Sequence, residues 1–107
     1  MNIKEMQTTA DDICEIMTLL SNRSRLMILC LLSESEKSVG QLAEAIGSRD
    51  TAVSQQLAVL RRERIVKARR EGQTMYYRIV RDDIGRMLAF LYDTYCADGA
   101  ETEETDQ

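Results

Sequence analysis

Residues 38–62 read SVGQLAEAIGSRDTAVSQQLAVLRR, and this stretch decides the fold. Ser38 with Gln41 three residues on is a capping-box pattern, which satisfies backbone N–H groups at the start of a helix. Leu42, Ala43 and Ile46 then fall on one helical face, and Gly47 suits the left-handed conformation that closes a helix. A further helix is expected from Asp50 or Thr51 to Arg62, with Val53, Leu57 and Leu60 turned inward. Short helices joined by a tight Gly-containing turn form the helix-turn-helix pattern.

Downstream the period changes. Ile65-Val66-Lys67-Ala68-Arg69-Arg70 and Thr74-Met75-Tyr76-Tyr77-Arg78-Ile79-Val80 are rich in strand formers, and Glu71-Gly72-Gln73 between them reads as a hairpin turn with Gly72 at positive φ. A hairpin directly after a helix-turn-helix is a wing. Asp82-Asp83 then opens a last helix with Ile84, Met87, Leu88, Leu91, Tyr92 and Tyr95 along one stripe.

Upstream, a first helix is expected to start near Thr8 or Thr9, with Asp11 and Asp12 in its first turn and Ile13, Ile16, Met17 and Leu20 as its stripe. Ser21-Asn22 breaks it, and a second helix runs from about Arg23 to Leu32. That helix is apolar on nearly all sides after Arg25, which implies burial. The fold class is therefore mainly α with a β-hairpin wing: four helices, a hairpin and a fifth helix. The first and last helices are more apolar than one small domain needs, and they are expected to form a homodimer interface. Residues 1–96 make the winged helix-turn-helix domain. Residues 97–107 are expected to be a disordered acidic tail.

At 107 residues the chain is one small domain. No apolar run reaches the ~18 residues that span a bilayer, and no basic-then-apolar leader opens the chain, so a cytoplasmic protein with no membrane partner is expected. The net charge of −4 is unevenly spread. Residues 97–107 hold five acids and no base, whereas residues 49–81 hold nine bases against three acids, a local net of +6. Such a block is an electrostatic footprint for phosphate. Histidine is absent, no Gly-rich phosphate loop appears and no nucleophile has an evident base, so no enzyme and no cofactor are expected.

The exposed side of Thr51-Ala52-Val53-Ser54-Gln55-Gln56-Leu57 carries small polar groups that let a helix enter the major groove closely. Gln55 suits a base edge, most naturally adenine, and Ser54 and Thr51 can donate to bases or phosphates. Arg49 and Arg62 flank the helix and suit phosphate, as do Arg69, Arg70 and Gln73 on the wing.

Asn22-Arg23-Ser24-Arg25-Leu26, Val39-Gly40-Gln41-Leu42-Ala43, Val53-Ser54-Gln55-Gln56-Leu57 and Gly72-Gln73-Thr74-Met75-Tyr76-Tyr77 together resemble the ArsR/SmtB family of winged-helix repressors. The resemblance covers about residues 10 to 96. It implies a homodimer that places two recognition helices in successive major grooves of an inverted repeat of double-stranded DNA, and that releases the operator when an inducer binds. The chain departs from the family pattern at Arg49, where Ser usually caps the helix, so that Ser48 or Asp50 is expected to cap instead. It departs again at Gln56, where His is usual.

The family's metal sites use cysteines on the helix before the reading helix, or Asp and His on the last helix. Here the first location reads Ser38-Val39-Gly40-Gln41-Leu42 and no histidine exists, which argues against zinc, nickel or cobalt. Cys30 in Leu29-Cys30-Leu31-Leu32 and Cys96 in Tyr95-Cys96 instead resemble the thiol pair of the sulfide-responsive, BigR/SqrR-type branch. By that resemblance Cys30 and Cys96 sense a reactive sulfur inducer, and no metal site is expected. As(III), another thiophilic metal or peroxide acting on the same cysteines is the alternative inducer, and a winged-helix module that binds protein without DNA is the alternative function. Cys14 reads as structural. Were it close to the other two thiols, a three-thiolate site for a soft ion would arise.

Overall fold

The computed structural model describes residues 1–97. Its order is α1 (Ile3–Leu20), α2 (Arg23–Glu34), β1 (Lys37–Ser38), α3 (Val39–Ile46), α4 (Asp50–Arg62), β2 (Val66–Glu71), β3 (Thr74–Ile79) and α5 (Asp82–Tyr92), which continues as a π turn over Asp93–Ala97. This is the winged helix-turn-helix, with one strand more than the sequence suggests. Lys37 and Ser38 pair antiparallel with Tyr77 and Tyr76, so the wing's sheet has the order β1-β3-β2.

The capping box of α3 forms as read: Gln41 N–H donates to Ser38 Oγ at 3.2 Å, and Ser38 N–H donates to Gln41 Oε1 at 2.9 Å. Gly47 closes the helix at φ 69°. Glu71 pairs with Thr74, so Gly72 and Gln73 are the whole hairpin loop, and Gly72 has φ 63°. Arg64 also lies at positive φ (61°) where the chain leaves α4 for β2.

Three expectations need correction. Helix α1 starts at Ile3, well before Thr8, because Asn2 caps it by accepting from Lys4 N–H (3.0 Å) and Glu5 N–H (3.2 Å). The hydroxyls of Thr8 and Thr9 bond back to the carbonyls of Lys4 and Glu5, as such residues do inside a helix. Neither Ser48 nor Asp50 caps α4: Arg49 occupies the cap position and makes no side-chain cap hydrogen bond. Helix α2 is buried on one side only. Ile28, Leu29 and Leu32 are in the core, while Leu26, Cys30 and Leu31 are half-buried and Met27 is exposed. The uncovered side opens towards α5.

The core joins Ile28, Leu29 and Leu32 of α2 to Leu42 and Ala43 of α3, Val53, Leu57 and Leu60 of α4, Ile65 and Val66 at the start of the wing, and Ile84 and Leu88 of α5. Helix α1 contributes no buried residue. Met17, on its expected stripe, is 56% exposed, and Tyr92 and Tyr95 on the last stripe are 61% and 71% exposed. A single chain therefore leaves Met17 on the first stripe and Tyr92 and Tyr95 on the last uncovered, while Ile84 and Leu88 are buried and Ile13, Ile16, Leu20, Met87 and Leu91 are half-buried.

Candidate nucleic-acid interface and thiol pair

Helix α4 has two faces. Val53, Leu57 and Leu60 are fully buried, whereas Thr51, Ser54, Gln55 and Arg62 are exposed at the spacing of the opposite face. Arg49 is exposed where the helix begins, and the N-terminal amides there carry no side-chain cap. Gln56 lies beside the buried stripe, half-buried, and accepts a hydrogen bond from Arg25 at 3.1 Å.

The wing's charges are not equally free. Arg69 is held by Glu36, with Nε and Nη2 at 2.8 and 2.7 Å from Oε1, and it stacks over Tyr76 at 4.9 Å. A weaker ion pair reaches Glu71 at 3.4 Å. The Arg69 hydrogen bond holds the Glu36 carboxyl below the usual carboxylate range, and the charges of Arg69 and Arg78 act in the same direction. Arg69 thus ties the wing to the segment that follows α2. Arg70 donates to the Gly72 carbonyl at 3.0 Å across the hairpin, and both Arg70 and Gln73 are exposed.

Cys30 faces an open groove of about 1040 Å³ between α2 and α5, lined also by Met27, Leu31, Glu34, Arg81, Gly85, Arg86, Leu88, Ala89, Tyr92 and Asp93. Burial pushes the Cys30 thiol up, and charges on Cys96 and Glu34 push it in the same direction. Cys96 itself is exposed on the π turn that extends α5, and all three cysteines are free. Cys14 is exposed on α1, and among the described residues no group of three His, Cys, Asp or Glu side chains is placed to hold a metal ion. The acidic stretch, from Asp98 on, lies outside the described residues.

The pattern described as "Bacterial regulatory protein, arsR family" matches residues 22–68. The chain is similar to the "Transcriptional activator HlyU" of Vibrio cholerae, at 35% identity over 90% of this chain and 89% of the relative. It is also similar to the "Biofilm growth-associated repressor" of Agrobacterium fabrum, at 37% identity over 86% of this chain and 79% of the relative. The crystal structure of the transcriptional repressor BigR from Xylella fastidiosa superposes with a TM-score of 0.85 at 36% identity, covering 91% of this chain and 99% of that one. The chain belongs to the arsR family. It is a DNA-binding transcriptional regulator with a winged helix-turn-helix, and not an enzyme. No single helix among the described residues is long and apolar enough to cross a membrane.

Two residues that border the candidate surfaces, Arg25 and Glu34, carry no local signal of that place in the sequence. Arg25 meets Gln56 across 31 residues, a separation that no local pattern encodes. Glu34 lies one helical turn beyond Cys30. That spacing was readable, but nothing marked the groove on which both border.

The raised Cys30 pKa has a kinetic consequence. Because the thiolate is the nucleophile, Cys30 is expected to be alkylated roughly several-fold more slowly than Cys14 at neutral pH. Its rate should climb at higher pH than that of an ordinary thiol. Glu34→Gln removes one of the charges that raise it and should speed Cys30 without changing Cys14. Site-resolved mass spectrometry after iodoacetamide treatment reads this directly. Equal rates, unchanged by Glu34→Gln, would contradict it.

Proposed function

We propose that this regulator is a homodimeric repressor that releases operator DNA when reactive sulfur modifies Cys30 and Cys96. The observation that carries the reading is the placement of the thiols: Cys30 on α2 lines the groove that α5 borders, and Cys96 lies on the π turn that continues α5. The likeness to BigR agrees with it. In the reduced dimer, α4 of each protomer enters a major groove of an inverted repeat, with Thr51, Ser54 and Gln55 towards the bases. Arg49, Arg62, Arg70 and Gln73 face phosphate. Arg69 makes its contact only by sharing the charge it already gives Glu36. The parts of the two stripes that one chain leaves exposed, Met17 on α1 with Tyr92 and Tyr95 at the end of the last helix, form the dimer seam together with their half-buried neighbours.

The chemistry follows from exposure. Cys96, the more accessible thiol, attacks a sulfane sulfur of a polysulfide as its thiolate. An S–S bond breaks, a shorter hydropolysulfide leaves, and Cys96 carries an added sulfur chain. The Cys30 thiolate then attacks a sulfur within that chain and expels HS⁻, which leaves a bridge between the cysteines. The polysulfide is reduced and the two thiols are oxidised. A plain disulfide needs Cα atoms within about 4.4–6.8 Å, whereas added sulfur atoms lengthen the reach. A bridge from α2 to α5 ties a core helix to a seam helix and moves the reading heads off the groove spacing of about 34 Å.

Polysulfide treatment of the reduced protein is expected to weaken DNA binding by roughly tenfold to a hundredfold, the range of ordinary allosteric coupling. Cys30→Ser and Cys96→Ser should each abolish that response while leaving the untreated affinity within about threefold, because neither thiol is on the DNA face. Full response in either variant would refute the dithiol.

A further inference from the structure

Arg25 sits in the first turn of α2, where its backbone N–H donates to the Asn22 cap at 3.0 Å. Its guanidinium reaches in two directions. Nε donates to the Leu19 carbonyl at 2.9 Å, one of the last carbonyls of α1, which a helix leaves unpaired. Nη1 donates to Gln56 Oε1 at 3.1 Å on α4. The planar fork makes both bonds from one rigid group, which a lysine ammonium cannot do.

Among the described residues this is the one side-chain hydrogen bond that α4 makes with another helix or strand. Apart from the backbone bond that Ile65 N–H makes to the Leu60 carbonyl at 2.9 Å, α4 is held by apolar packing through Val53, Leu57 and Leu60, which sets its inner face but, being non-directional, does not set its fine rotation as a hydrogen bond does. Gln56, with its acceptor turned to Arg25, is half-buried and off the face that carries Ser54 and Gln55.

We propose that Arg25 is a positioning residue for DNA reading: through Gln56 it fixes the rotation of α4 against α1 and α2, so that Thr51, Ser54 and Gln55 meet the groove in one register. Gln56 is then the receiving half of this latch and not a base reader. The inference rests on α4 being the reading helix, and it is independent of the sulfur chemistry.

The test uses the duplex that the wild-type protein enriches from a randomised pool as the probe, with affinity measured across a salt series. Arg25→Met and Gln56→Met should each weaken binding about tenfold, in line with loss of a hydrogen bond from a charged donor. The double variant should be no weaker than the worse single, since both remove one interaction. The salt slope should stay at the wild-type value. Gln56→His keeps an acceptor and should bind within about threefold of wild type. Gln56→Met leaves the Leu19 bond intact, so it carries the test alone if Arg25→Met fails to fold. A slope reduced by about one unit in Arg25→Met would make Arg25 a phosphate contact and overturn the proposal. So would additive losses in the double variant, or a base preference changed in Gln56→Met and not in Arg25→Met. A wild-type protein that enriches no duplex would remove the reading-helix assignment itself, and the inference with it.

Discussion

Raising salt from roughly 50 to 200 mM is expected to weaken binding to the selected duplex by about 10³-fold. Exposed cations on the reading side set this sensitivity. Arg49, Arg62 and Arg70 are available on each protomer, while Arg69 is committed to Glu36. Two protomers give about six phosphate contacts and a slope of log K against log salt near −5. The chain's overall charge of −4 would suggest no such slope. The local field decides, because exposed charges beyond a Debye length of about 8 Å are largely screened. A titration by fluorescence anisotropy at several salt concentrations measures the slope. A slope shallower than about −2 would mean that this wing and helix face something other than a phosphate backbone.

Leu57→Ala is expected to cost about 3 kcal/mol of stability, within the range for a fully buried leucine that leaves a cavity. Leu57 lies on the inner face of α4 in the shared core, so the loss falls on the packing between reading helix and body. For a domain of this size that lowers Tm by roughly 15 °C. Met17→Ala, by contrast, removes a side chain that is 56% exposed in one chain. Its effect should appear mainly as weaker self-association, with thermal stability made more dependent on protein concentration. Thermal melts at several concentrations separate the two. A Leu57→Ala variant as stable as wild type would contradict the core described here.

The helix-turn-helix and wing were legible because their signals are local. A capping box, a glycine after a periodic run and a glycine between strand-like runs each act over a few residues, and Ser38, Gly47 and Gly72 all behave as read. Strand β1 was not legible, since two residues have no pattern and pair only because β3 lies alongside them. The start of α1 was missed because Thr8 and Thr9 are good caps in isolation, while Asn2 does the capping. For α2, apolarity on all sides was read as burial, but apolarity also suits a helix that borders a groove. Of the site, the exposed face of α4 followed from periodicity. The Arg69–Glu36 pair and the Arg25–Gln56 latch did not, because each joins residues more than thirty positions apart.

Under the proposed function, sulfur bridging Cys30 and Cys96 switches DNA binding. Intact-protein mass and duplex affinity, measured on the same anaerobic sample after polysulfide and beside peroxide and As(III) controls, test it most directly. The expected result is a gain of whole sulfur atoms with loss of two hydrogens, absent in Cys30→Ser and Cys96→Ser, and accompanied by DNA release. Release under As(III) alone, with no sulfur taken up from polysulfide, would contradict it.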